Sequence, residues 1–163
     1  MIKGYYTKKG FIKRPFVDAE IMILDTLVEK PLRFLVDLGA DFTIICEKDA
    51  HRLGLDYSKL KKADRDLGGI GGKAERYTME VILKIEPDFV KRMNVSVIKN
   101  KIPDDISPVM RSKLKNFYER LPSLLGRDVI REFGLFVHER TERIYFLQDN
   151  EIPNELFEIT KNK

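Results

Sequence analysis

The chain has 163 residues, 43% of them hydrophobic and 34% charged, with a net charge of +4 and a single cysteine. That length suits one domain, or one domain with an extension, able to bury roughly 70% of its unfolded surface without staples. One cysteine excludes an intrachain disulfide and any cysteine-based zinc site, and no apolar run approaches the ~18–20 residues of a membrane span.

The opening MIKGYYTKKGFIKR is basic but lacks the apolar stretch of a secretory signal, so a cytoplasmic protein is expected. Residues 1–14 read as a basic segment, 15–148 as the domain and 149–163 as a tail. Before Asp18 every charged side chain is basic (Lys3, Lys8, Lys9, Lys13, Arg14), whereas Asp149, Glu151, Glu155 and Glu158 make the tail acidic. A basic arm can touch nucleic acid or an acidic partner. The reading adopted is that it is solvated or pairs with the tail. Lys59-Leu60-Lys61-Lys62 sits beside Asp64 and Asp66 with no interleaved aromatics, so no nucleic-acid partner is expected.

A first strand is predicted from about Pro15 to Leu24, with Phe16, Ala19, Ile21 and Ile23 apolar. Leu32 to Val36 is an apolar strand broken only by Arg33, suited to a buried position. It delivers Asp37 into a loop containing Gly39 and Ala40, and a strand leaves from Thr43 to Cys46. Two small residues after the acid let another backbone come close. A carboxylate held there either caps the turn or is functional, because burying it unpaired is costly.

Glu47 to Leu53 suits a short helix closed by Gly54, and Asp56 to Leu67 a charged surface loop. Gly68-Gly69-Ile70-Gly71-Gly72 cannot be a strand interior but suits a hairpin tip. Its second arm is Tyr77 to Ile85, with Met79, Val81, Leu83 and Ile85 on one face, and a further strand covers Met93 to Ile98. Asp104, Asp105 and Ser107 can each cap a helix running from about Pro108 to Arg120, with Val109, Leu114 and Phe117 as its apolar side. Leu121 to Leu125 is a short strand, and Gly126-Arg127-Asp128 leads into a helix from Val129 to Phe133. A hairpin, Leu135 to His138 with Arg143 to Leu147, precedes the tail, which is expected to be loosely attached. Many short strands and glycine turns define a mostly β domain, a barrel or sandwich.

Three pieces stand in order: Asp37-Leu38-Gly39-Ala40-Asp41-Phe42-Thr43, the glycine hairpin Gly68 to Gly72, and Leu124-Leu125-Gly126-Arg127-Asp128. Together they resemble the retropepsin-like aspartic proteases, over about Pro15 to Leu147. The resemblance implies a retropepsin-like acid protease barrel with short helices and one half-site per chain. It implies that Asp37 is catalytic, that Gly39, Ala40 and Asp41 meet substrate, and that Gly69, Ile70 and Gly71 form a flap. Arg127 would bridge to Asp41, and Leu38, Thr43 and Arg127 would support the site. Thr43 is open to two readings, a hydrogen bond within its loop or a plain strand residue.

The family places Thr or Ser after the catalytic Asp, where this chain has Leu38, and residues 102–121 look like an insertion. Only one Asp-x-Gly-Ala is present, since Asp25-Thr26-Leu27 lacks the glycine. The second carboxylate must then come from a second chain, which implies a homodimer. The function implied is a homodimeric aspartic endopeptidase acting on peptides or unfolded protein. The alternative is a protease-fold binding module weakened by Leu38. Cys46 reads as a buried small hydrophobe, and His51 and His138 as structural or exposed. No H-E-x-x-H, P-loop or G-x-G-x-x-G pattern occurs, so no metal, nucleotide or other cofactor is expected.

Overall fold

A computed structural model describes residues 1–9, 12–69 and 72–158 of the chain. The strands are β1 (Ile2–Lys9), β2 (Ile12–Ile23), β3 (Val28–Val36), β4 (Ile44–Ile45), β5 (Lys61–Lys62), β6 (Leu67–Gly69), β7 (Gly72–Ile85), β8 (Phe89–Asn100), β9 (Ser123–Leu125), β10 (Gly134–His138) and β11 (Arg143–Leu147). The helices are α1 (Glu47–Leu53), α2 (Pro108–Tyr118), α3 (Arg127–Ile130) and α4 (Asn154–Glu158). The strands form one sheet in the order β10-β11-β1-β2-β3-β9-β4-β8-β7-β5, with β6 on β7. An added β2–β7 pairing closes β2, β3, β9, β4, β8 and β7 into a ring. This is the mostly β architecture the sequence suggests.

Period-two alternation sets the core. In β7, Met79, Val81, Leu83 and Ile85 all point inward, as their spacing predicts. In β2 the inward set is Val17, Ala19, Ile21 and Ile23. Phe16 is on the outer face, because it is out of step with Ala19 by an odd number of residues. Strand β3 also alternates rather than being buried throughout. Leu32, Phe34 and Val36 are buried, while Arg33 is exposed and meets Asp18 across β2.

The basic N-terminal segment is not a solvated arm. Residues 2–9 pair with both β2 and β11, and Ile2 is in the core. The Met1 ammonium meets Glu151, so one contact to the tail does form, while Lys13 pairs with Glu142. The start of the tail is docked rather than loose: Ile152 lies against Gly134, where an added Cβ would approach its Cδ1 to 2.6 Å.

The residues read as an insertion carry α2. Ser107 caps it by accepting the Met110 N–H at 3.3 Å, and Pro108 occupies the first turn. Its buried residue is Tyr118, whereas Val109 and Phe117 are exposed, so the expected apolar side is not the one that packs. Helix α1 ends on Gly54 in the left-handed conformation (φ 76°), as the sequence suggests.

Candidate active site

The chain pairs β9 between the two strands that flank the Asp37 loop. β9 runs parallel to β3, with Val36 opposite Leu125, and antiparallel to β4, with Ile44 opposite Leu124. A loop leaving one strand and returning two strand positions away is held on both shoulders. Asp37 sits just past the end of β3, half-buried. Its N–H donates to Leu125 O at 3.1 Å. Its Oδ1 accepts the Gly39 N–H at 2.8 Å, and its carbonyl accepts the Ala40 N–H at 3.2 Å. Oδ2 has no hydrogen-bond partner among the described residues.

The segment after β9 locks the far side of the loop. Arg127 N–H donates to Ala40 O at 2.8 Å, and the Arg127 guanidinium meets the Asp41 carboxylate, the bridge the resemblance implied. Both side chains are largely exposed, so this contact contributes little stability by itself. The stronger constraint is Gly126. A Cβ there would lie 2.3 Å from Phe42 C and 2.5 Å from Phe42 O, so only glycine permits this backbone crossing.

Thr43 is fully buried and bonds outside its own loop. Its hydroxyl donates to Asp128 Oδ1 at 2.7 Å and accepts the Gly126 N–H at 3.2 Å, while its N–H donates to Asp128 Oδ2 at 3.0 Å. Asp128 is a contributor that the sequence does not reveal, since Gly126-Arg127-Asp128 reads only as the turn leading into a helix. Observed helix α3 begins at Arg127, two residues before the predicted start.

Leu38 and Phe42, on either side of the small residues, are 58% and 51% exposed. Across the Phe42 ring, 5.8 Å from its centroid, lies the guanidinium of Arg76 in β7. The Arg76 Nε is buried with no hydrogen-bond partner among the described residues. The contact joins the loop to the glycine hairpin, in which Leu67 pairs with Ala74 and Gly69 with Gly72. Ile70 and Gly71, expected at the hairpin tip, lie outside the described residues.

Behind the loop, Cys46 is buried as expected, but in a polar cluster. Ser123 Oγ donates to Asp49 Oδ2 at 2.7 Å, Cys46 Sγ to the same oxygen at 3.2 Å, and Cys46 N–H to Ser123 Oγ at 3.1 Å. Burial pushes the thiol up to about 11, with the Asp49 charge adding to the rise. A thiol so held is protonated at neutral pH and is no nucleophile. His51 lies at an exposed helix end, and His138 Nδ1 accepts the Thr141 N–H at 3.2 Å.

A carboxylate at the tip of a loop braced by an inserted strand and a Gly-Arg turn is the arrangement that the resemblance to the acid proteases implied. The family model described as aspartyl protease matches residues 20–129, which include the loop and the bracing segment. The chain belongs to that family. Its fold is retropepsin-like. It is similar to a retropepsin-like aspartic protease from Rickettsia conorii, with 21% identity, a TM-score of 0.51, and coverage of 79% of this chain and 86% of that one. It is also similar to the EIAV protease complexed with the inhibitor HBY-793, at 22% identity and a TM-score of 0.45, over 77% of this chain and 92% of that one. No curated protein matches the chain. No helix among the described residues is long and apolar enough to cross a membrane.

Proposed function

We propose that the protein is a homodimeric aspartic endopeptidase whose dyad is Asp37 from each of two chains. The observation that carries this reading is the Asp37 carboxylate itself. It is half-buried at the tip of a doubly braced loop, with Oδ1 anchored by Gly39 and Oδ2 without a partner among the described residues. Two such carboxylates placed face to face share one proton, because like charges that close do not both ionise; this is the general property of aspartic-protease dyads.

The chemistry is set by that shared proton. The ionised carboxylate takes a proton from water as the water oxygen attacks the peptide carbonyl carbon. The protonated partner donates to the carbonyl oxygen. The tetrahedral intermediate then collapses: the C–N bond breaks, the leaving nitrogen takes a proton from one carboxyl, and the other carboxylate takes a proton from an intermediate hydroxyl, which restores the shared proton. The substrate is an extended segment of peptide or unfolded protein, lying as a strand across Gly39, Ala40 and Asp41. The hairpin of β6 and β7 closes over it and excludes water. Arg127, Thr43 and Leu38 hold the loop. Leu38 and Phe42 expose apolar surface beside the acid, which a second copy would cover.

The test is cleavage of an unfolded protein by wild type and Asp37→Asn, with solution mass measured for both. Loss of all turnover with the dimer retained is expected. Full turnover in the variant would sink the assignment. A second reading rests on Leu38, which supplies no hydroxyl to brace the paired loops: a dimer that binds peptide without cutting it. Peptide binding with no turnover at acidic and neutral pH would favour that reading.

A further inference from the structure

Alternation puts Arg14, Phe16 and Asp18 on the side of β2 opposite the core, and Arg33 sits across from Asp18 in β3. Helix α1 and the end of the α2 segment rise beside this face. They line an open cleft of about 680 Å³. Five cations line it: Arg14, Arg33, Lys48, Arg52 and Arg120. Only two carboxylates answer them, Asp18 and Asp49.

Those two carboxylates are already engaged. Asp18 accepts from Tyr5 at 2.6 Å and from Arg33 at 3.3 Å. Asp49 accepts from Ser123 and Cys46 and lies 3.7 Å from Arg52. Arg14, Lys48 and Arg120 have no ion-pair partner among the described residues. Three unpaired cations facing one concavity repel one another, and no described carboxylate neutralises them. Beside them Phe16, Pro31 and Pro122 supply an apolar seat. Arginine forks and a lysine match phosphate oxygens, and the volume is that of a small-molecule site. These cations line one concavity, which favours a compact anion over a nucleic-acid strand.

We propose that this cleft binds a small organic phosphate of the nucleotide type. Its phosphates would lie between Arg14, Lys48 and Arg120, and its less polar body against Phe16. The site does not include Asp37 and does not depend on the protease reading.

Titration calorimetry on the full chain tests this, with ATP, tripolyphosphate and citrate as probes. ATP is expected to bind once per chain, more tightly than tripolyphosphate, with citrate weaker than both. Binding should weaken as salt rises. Arg14→Gln/Arg120→Gln should lose at least tenfold in affinity. Lys3→Gln/Lys59→Gln, with the same change in net charge away from the cleft, should not. Neither arginine holds an ion pair among the described residues, so the double variant is expected to fold, which far-UV circular dichroism checks; Lys48→Gln alone gives an independent loss. No binding of ATP, equal losses in both double variants, equal affinity for citrate, or displacement of ATP by an oligonucleotide at matched phosphate would each overturn the assignment.

Discussion

Thr43 and Asp128 are bound twice, through the Thr43 N–H to Oδ2 at 3.0 Å and through its hydroxyl to Oδ1 at 2.7 Å. The pair joins the strand that leaves the Asp37 loop to the helix that begins after Gly126. It is buried on the threonine side, so the carboxylate is committed to one partner. Thr43→Val keeps the shape but leaves a half-buried carboxylate oxygen and the buried Gly126 N–H each short of a partner. A loss of about 1–3 kcal/mol is expected. Urea unfolding measures it, and Thr43→Ser should recover most of the loss.

Gly126 carries the backbone crossing that sets the loop against β9. Gly126→Ala places a methyl 2.3 Å from Phe42 C, and neither backbone can yield without breaking the Arg127 N–H to Ala40 O bond. Destabilisation of about 1–3 kcal/mol is expected from overpacking. Faster amide exchange at Asp37 and Arg127 should accompany it. A variant with wild-type stability and wild-type exchange would contradict the crossing.

Leu38 tests the dimer. It is exposed in a single chain, and the proposed function places it against its mate. Leu38→Asp would set two like charges together across that contact. The variant is expected to sediment as a monomer at concentrations where the wild type is a dimer, and to lose more than tenfold in activity. Leu38→Thr should stay dimeric. A dimeric, fully active Leu38→Asp variant would count against the arrangement.

Cys46 gives a pH dependence with a definite sign. Its pKa is raised on folding from an ordinary 9.0 to about 11, so the folded chain keeps a proton that the unfolded chain gives up in between. The contribution is whole below pH 9 and is lost as pH rises toward 11. Wild type should therefore lose more stability between pH 8 and 10.5 than Cys46→Ala, in which no thiol titrates. Equal losses in the urea midpoints of the two proteins would remove the effect. Slow alkylation in the native state and fast alkylation in urea should accompany it.

Features governed by short-range rules were mostly legible in the sequence. The inward face of β7 could be read because Met79, Val81, Leu83 and Ile85 alternate without a break. The helix cap at Ser107 and the left-handed Gly54 obey local chemistry. The face that Phe16 takes is not legible, because an apolar residue on each face of β2 leaves parity ambiguous until Val17 packs. Val109 and Phe117 were misplaced on α2 because which side of a helix is buried depends on what it packs against. The basic start was read as an arm because its charges are visible in sequence, while its pairing with β11 spans nearly the whole chain.

What the sequence determined alone is the acid loop, its small residues, the glycine hairpin and the Gly-Arg turn, since each is a local requirement on backbone freedom and strand length. The tertiary structure decided how they meet. Only the insertion of β9 between β3 and β4 brings Gly126 under Phe42 and gives Thr43 its partner in Asp128, 85 residues away. Only the outward faces of β2 and β3, set beside α1, collect Arg14, Lys48 and Arg120 around one cleft. Contacts of that separation depend on register and packing between strands far apart in the chain, which no local pattern of residues encodes.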